Sequence, residues 1–155
     1  MARLFVDSDG VFADFDEHLK KLFGVYPREV SDDEMWRLIH SDFRFWSEMP
    51  LLPGARELWD GIKHANPIVL TGCHKDNYDA IAAEKVVWWN TQFQHDQVIT
   101  CLSKDKAFHM EQPGDWLVDD MVKNCKRWAK AHGKAIRYTG DWEGTLKVLR
   151  QEGVI

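Results

Sequence analysis

Short, nearly continuous apolar runs recur along the chain, each bounded by polar or turn-forming residues. Runs of about four or five residues are too short for helices and are typical of parallel strands that are covered on both faces. We therefore predict five strands, over Arg3–Asp7, Pro67–Thr71, Gln97–Thr100, Trp116–Asp119 and Ala135–Tyr138.

Longer segments between these strands repeat apolar residues at helical spacing, as Leu58, Trp59 and Ile62 do in the first of them. Gly133 and Asp141 mark the end of one helix and the start of the next, since glycine stops helices and aspartate caps them. The pattern predicts helices over Gly54–Ala65, Asp76–Asn90 and Asp120–His132, and a last helix after Asp141. Such alternation predicts an α/β fold with a parallel five-stranded sheet and helices on both faces.

Residues 12–53 interrupt this alternation, because the chain makes helices there instead of crossing to a second strand. An amphipathic stretch covers Phe12–Phe23. Ser31 and Glu34 have the spacing of a capping box that starts a second helix, which we predict to continue through His40. The segment is too short for an independent domain, so we predict a small helical cap inserted after the first strand.

Composition narrows the class of protein. At 155 residues, the chain has the length of one domain, which we assign to 1–155, and its net charge of −5 disfavours duplex nucleic acid and anionic membranes as partners. The 3 cysteines, an odd number, are typical of free thiols in a reducing compartment. Without a signal-like N-terminus or a membrane-spanning apolar run, a cytoplasmic protein is expected. The 8 tryptophans indicate aromatic packing or a stacking surface.

Polar residues with chemical potential follow the predicted strands. Asp7 and Asp9 follow the first strand, Thr71 and Gly72 end the second, Lys106 follows the third, and Asp119 with Asp120 end the fourth. Ligands of open parallel sheets bind beyond the carboxyl ends of the strands. Each residue alone has an ordinary explanation, a solvated acid, a helix cap or a surface lysine. Their shared position at one edge predicts a site, and acids crowded there require a cation, a shared proton or a reaction.

These residues, in this order, resemble the four motifs of the haloacid dehalogenase (HAD) superfamily of phosphatases. The run from Asp7 to Phe15 is similar to the opening of its 5'(3')-deoxyribonucleotidase branch. The resemblance implies a Rossmann-like, HAD-like sheet with a cap between the first two motifs. Two features depart from that branch: Gly72 follows Thr71, where the branch usually has Ser, and the cap is shorter.

The resemblance also implies roles for the site residues. Asp7 would attack phosphorus to form an aspartyl-phosphate, and Asp9 would act first as general acid and then as general base. Mg²⁺ would be held by Asp7, the backbone carbonyl of Asp9, and one of Asp119 and Asp120. The phosphoryl oxygens would be bound by Thr71, Gly72, Lys106 and, with a surface lysine as the alternative, Lys85.

The expected substrate is a small phosphorylated metabolite, a nucleoside monophosphate. Phe15, Phe43, Phe45 and Trp46 could stack a base, although at least two of the four are expected to form the core of the cap instead. Sugar phosphates and the 3'-phosphate ends of polynucleotides are the alternatives within the enzyme class. A receiver-like signalling domain that accepts a phosphoryl group is the alternative outside it. Whether the protein forms a homodimer is left open.

Overall fold

A computed structural model describes all residues from Met1 to Ile155. It contains five β-strands and six α-helices, with short 3₁₀ turns between some of them. The strands are β1 (Leu4–Val6), β2 (Ile68–Gly72), β3 (Val98–Cys101), β4 (Trp116–Asp119) and β5 (Lys134–Arg137). The helices are α1 (Phe15–Phe23), α2 (Asp32–His40), α3 (Ala55–Ile62), α4 (Tyr78–Phe93), α5 (Val122–Lys130) and α6 (Trp142–Gln151).

The five strands form one parallel sheet in the order β3-β2-β1-β4-β5. The predicted α/β fold is therefore confirmed, and β4 has the predicted bounds. Val6 is in register with both Val69 and Val118, so β1 lies between the second and fourth strands. A signalling receiver has the order 2-1-3-4-5, which this sheet does not have. The topology thus removes the structural basis of the receiver alternative.

The sheet is covered on both faces because neighbouring side chains of each strand point in opposite directions. Leu4 and Val6 join the larger core cluster, to which α3, α4 and α6 contribute their apolar faces. Phe5 points to the other face and packs on Trp128 of α5, with ring centroids 5.2 Å apart. Both faces of β1 are therefore covered by apolar side chains. Polar residues can meet this strand only beyond its ends.

Most tryptophans belong to this core. Trp88 and Trp89 are buried, and the indole N–H of Trp89 donates to Ser8 Oγ at 2.9 Å. Trp128 is also buried and donates its indole N–H to the Asp115 carbonyl at 2.8 Å. A buried indole needs such an acceptor. The bond from Trp89 additionally fixes the turn that follows β1.

The insertion between β1 and α3 carries α1 and α2. The predicted start of the first helix at Phe12 is wrong: the N–H groups of Val11, Phe12 and Ala13 converge on the Ser8 carbonyl in a tight turn. The helix begins only after Asp14, whose carboxylate accepts from Glu17 N–H at 3.2 Å. Because of this turn, α1 begins three residues after its predicted start.

The second helix of the insertion begins where predicted, with Ser31 as its cap. Ser31 Oγ accepts from Glu34 N–H at 3.2 Å. The predicted capping box is only half formed, because the Glu34 carboxylate instead binds Arg37 at 2.6 Å. None of the six helices has both the length and the apolar character needed to cross a bilayer.

Candidate active site

The carboxyl ends of β1 and β4 bring three acids together. Asp7 extends β1 by one residue, its N–H donating to the Val118 carbonyl at 2.9 Å. Asp119 ends β4, and Asp120 follows it. One carboxylate oxygen from each of Asp7, Asp119 and Asp120 lies within 4.8 Å of the others. Carboxylates this close repel one another unless cations lie among them.

Gly10 makes room for this cluster. Its φ of +82° places it in the left-handed region that side chains disfavour. A Cβ at this position would also collide with the carboxylate of Asp120. The glycine of the first motif therefore does two things: it turns the chain after Asp9 and leaves the space that the Asp120 carboxylate occupies.

Lys106 is the cation within the cluster. Its side chain is buried, and its Nζ lies 2.8 Å from Asp7 Oδ1 and 2.7 Å from Asp119 Oδ2. Burial alone would lower the pKa of Lys106, but the charges of Asp7 and Asp119 hold it above its ordinary value. An ammonium has three N–H donors, so one remains for an oxygen in the cavity.

The two acids at the end of β4, Asp119 and Asp120, differ in their hydrogen bonds and in their pKa values. Asp119 Oδ1 accepts from Met121 N–H at 2.8 Å, and Oδ2 accepts from Lys106 and from Asn124 Nδ2 at 3.1 Å. Asp120 Oδ1, in contrast, is buried and has no hydrogen-bond partner. Burial, followed by the charges of Asp7 and Asp119, raises the pKa of Asp120 to about 8. Burial and the charge of Asp7 raise the pKa of Asp119 to about 6, against the effect of Lys106.

These differences fit a divalent cation. An unpartnered, buried carboxylate oxygen beside Asp7 is an oxygen donor of the kind that Mg²⁺ prefers. Asp120 and Asp7 would hold the ion directly. Asp119 would support it from behind, since both of its oxygens already accept hydrogen bonds. One carboxylate oxygen of Asp9 binds a lysine, and the backbone carbonyl of Asp9 would remain available to an ion.

That lysine is Lys85, which lies in the middle of α4 and is buried. Its Nζ donates to Asp9 Oδ2 at 2.7 Å, to Thr71 Oγ1 at 2.8 Å and to the Gly72 carbonyl at 2.8 Å. The alternative of a surface lysine is therefore excluded. Burial raises the pKa of Asp9, Lys85 opposes that rise, and the charge of Asp7 adds to it.

Gly72 also has a steric reason to be glycine here. A Cβ at this position would lie 3.0 Å from Ser103 Cβ and 3.1 Å from Ser103 Cα. The loop after β3 thus packs directly against the end of β2. The serine usual in the deoxyribonucleotidase branch would require this loop to move.

A cavity of about 860 Å³ opens over these residues. Asp7, Asp9, Gly72, Lys106 and Asp120 line its floor, whereas Lys85 and Thr71 lie behind that floor. The rim carries two acids from the insertion and two lysines from the loops after β2 and β3, namely Asp14, Asp16, Lys75 and Lys104.

Of the four aromatic residues predicted to bind substrate, the structure brings two to the cavity. Phe15 and Trp46 line it. Phe45 is wholly buried among the helices of the insertion, where it packs on Phe15 and Trp46, and Phe43 is 80% exposed on the outside. Neither residue lines the cavity, because Phe45 lies inside the insertion and Phe43 lies on its outer surface.

Sequence reasoning assigned no substrate role to Trp36 or His74, yet both line the cavity. The Trp36 indole stacks on the His74 imidazole, with centroids 4.2 Å apart and planes inclined by 30°, and it also stacks on Trp46 at 6.2 Å. Trp36 belongs to α2 and His74 to the loop after β2, so no local motif links them. The unusual number of tryptophans was the one available signal.

No protein-family model matches the chain, and no curated protein does. Solved structures resemble it over nearly its full length. A HAD-superfamily hydrolase from Ehrlichia chaffeensis aligns with a TM-score of 0.59 at 12% identity, covering 97% of this chain and 98% of that one. A HAD family hydrolase from Deinococcus radiodurans R1, with bound phosphate and sodium, gives 0.59 at 9% identity over 100% and 97%.

A phosphonoacetaldehyde hydrolase-like protein from Oleispira antarctica gives a TM-score of 0.55 at 12% identity, covering 99% of this chain and 84% of that one. Identities this low establish a fold and leave the reaction to be argued from the side chains. The chain has the fold of the HAD-superfamily hydrolases.

Proposed function

We propose that the protein is a Mg²⁺-dependent phosphomonoester hydrolase that releases phosphate from nucleoside monophosphates through an aspartyl-phosphate. This proposal rests on one observation: two acids lie on the cavity floor, and each forms an ion pair with a different lysine. Asp7 pairs with Lys106, and Asp9 pairs with Lys85. A nucleophile and an acid–base group must lie together, yet in separate environments, for this two-step reaction.

Asp7 has the surroundings of a nucleophile. Its Oδ1 accepts from Ser8 N–H at 2.8 Å and from Lys106 Nζ at 2.8 Å, so the carboxylate is held in one orientation. Neither donor contacts Oδ2, which would be the oxygen that attacks phosphorus. Forming and then hydrolysing an ester of Asp7 divides a very slow hydrolysis into two easier steps.

Asp9 has the surroundings of a proton donor and acceptor. Its carboxyl lines the cavity floor, and burial raises its pKa, which favours a bound proton that can be given to the leaving oxygen. Once that proton is gone, the carboxylate can take one from the water that hydrolyses the ester. Lys85 holds Oδ2, so Oδ1 is the oxygen that would exchange these protons.

Lys106 on the floor and Thr71 directly behind it would bind the phosphoryl oxygens. Lys106 has one free N–H, and Thr71 Oγ1 accepts from Lys85, which leaves the hydroxyl proton for another oxygen. A bound Mg²⁺ would supply positive charge to the phosphoryl oxygens among these acids. Preorganised donors of this kind stabilise charge as it moves in the transition state.

A nucleotide suits the rest of the cavity. Phe15, Trp36 and Trp46 line the cavity, and aromatic rings can stack any base. The volume of about 860 Å³ is sufficient for a ligand of this size. A net charge of −5 and a rim that mixes acids with lysines weigh against polynucleotide ends as the substrate.

The test is phosphate release from a panel of ribo- and deoxynucleoside monophosphates, sugar phosphates and 3'-phosphorylated oligonucleotides, with and without Mg²⁺. We expect Mg²⁺-dependent release with nucleoside monophosphates and its loss in Asp7→Asn. Turnover of sugar phosphates alone would refute the nucleotide assignment. Full activity of Asp7→Asn would refute the nucleophile.

A further inference from the structure

Lys85 is the one buried cation that the proposed chemistry leaves without a direct task. The sequence predicts it either as a phosphate ligand or as a surface lysine. In the structure it lies behind the cavity floor, with 3% of its side chain exposed. A buried lysine requires compensation for the loss of water, so its partners indicate its role.

The three N–H donors of Lys85 are all used within the chain. They bind Asp9 Oδ2, Thr71 Oγ1 and the Gly72 carbonyl, at 2.7, 2.8 and 2.8 Å. An ammonium has no fourth donor, so none remains for a phosphoryl oxygen. Lys106 differs, because only two of its donors are used within the floor. The two lysines therefore have different tasks.

The insertion also contacts the Lys85 ammonium. Its Nζ lies 4.7 Å from the centroid of the Trp46 ring, a cation–π contact. Trp46 in turn packs on Phe15 and Trp36, the aromatic wall of the cavity. Lys85 is thus a direct physical link between that wall and the Asp9 carboxylate.

We propose that Lys85 is a positioning residue, which fixes Asp9 and Thr71 for phosphoryl transfer and makes their alignment depend on Trp46 of the insertion. The inference rests on the proposed phosphatase function. An acid must stay within hydrogen-bond reach of the oxygen that it protonates. Lys85 secures this by holding one Asp9 oxygen and leaving the other to the substrate.

Lys85→Met tests the positioning role, because methionine retains an apolar stem and removes the ammonium. We expect kcat/KM to fall about a hundredfold for an alkyl phosphate, and clearly less for p-nitrophenyl phosphate, whose leaving group needs little protonation. The inhibition constant of inorganic phosphate should change far less than kcat/KM, since Lys85 reaches the phosphate only through Thr71. Lys130→Met, at an exposed lysine of α5, is the matched control and should keep wild-type values.

Several outcomes would overturn the inference. A rise in the inhibition constant of phosphate as large as the loss in kcat/KM would make Lys85 a phosphate ligand, and an equal loss with both esters would make it a merely structural residue. If Lys85→Met does not fold, Lys85→Arg replaces it, because the planar donors of arginine cannot converge on the same three acceptors. We expect Lys85→Arg to lose about tenfold in kcat/KM for the alkyl phosphate. A wild-type kcat/KM of Lys85→Arg for the alkyl phosphate would overturn the proposal.

A double-mutant cycle tests the link to the insertion. With a small alkyl phosphate, Trp46→Leu should lower kcat/KM in the wild type and have no further effect in Lys85→Met. Independent, multiplying losses would overturn the link. A wild type that hydrolyses no ester overturns the proposed function and this inference with it, whereas an active wild type matched by Lys85→Met overturns the inference alone.

Discussion

The buried carboxylate of Asp120, whose Oδ1 has no hydrogen-bond partner, should make the metal-free protein less stable as the pH rises. The pKa of Asp120 is about 8 in the folded protein and 3.8 in the unfolded chain. The pKa of Asp120 is higher in the folded protein than in the unfolded chain. The contribution of the Asp120 carboxyl to the free energy of unfolding is therefore fully present below about pH 4 and is lost as the pH rises through 8. Asp120→Asn removes this ionisation.

The magnitude follows from the difference between the two values. Each pKa unit corresponds to about 1.4 kcal/mol, so raising the pH from 5 to 8 should cost the wild type about 4 kcal/mol more than it costs Asp120→Asn. The neutral variant should therefore be the more stable protein at pH 8 in the absence of metal.

Urea unfolding in a chelator at pH 5 and pH 8 measures this difference. Asp96→Asn, at an exposed position, is the control and should follow the wild type. Adding Mg²⁺ at pH 8 should stabilise the wild type by about 2.7 kcal/mol at a hundredfold excess over its Kd, and should not stabilise Asp120→Asn. Equal pH dependence of the wild type and Asp120→Asn would refute the reasoning.

Three further results are expected. Asp9→Asn should lower kcat by about 10²–10⁴-fold while keeping the Mg²⁺-induced stabilisation; normal turnover would contradict the acid–base assignment. Trp36→Leu should weaken binding of nucleoside monophosphates by about 1–3 kcal/mol, measured as KM, and leave KM for a small alkyl phosphate unchanged; equal changes in KM with both substrates would contradict the stacking role. Gly10→Ala should cost about 1–2 kcal/mol in urea unfolding and abolish Mg²⁺ stabilisation, since its φ is +82° and its Cβ meets Asp120; a wild-type response would contradict this account of the cluster.

The sheet could be predicted because its strands are buried on both faces. Such strands appear in a sequence as short apolar runs, and the β4 bounds, Trp116–Asp119, match the prediction. The acids at the strand ends could be predicted for the same reason, since parallel strands end at one edge. The start of α1 could not, because the turn depends on Ser8, whose hydroxyl accepts from Trp89 far along the chain.

The cavity wall was harder to predict than its floor. Phe43 and Phe45 lie two residues apart, yet one is exposed and the other buried, and neither lines the cavity. Trp36 and His74 meet across 38 positions of sequence, and only the tertiary structure brings them together. The role of Lys85 was equally hidden, because a lysine in a helix pattern gives no sign that three acceptors surround its ammonium.

The central claim is that Asp7 carries the phosphoryl group during turnover. Acid quenching of the wild type during hydrolysis of its best substrate, followed by borohydride reduction and peptide mass mapping, tests it directly. An aspartyl-phosphate at Asp7 would be reduced, so the peptide that contains it should carry homoserine at position 7. Turnover with an unmodified Asp7, or reduction at another residue, would contradict the account.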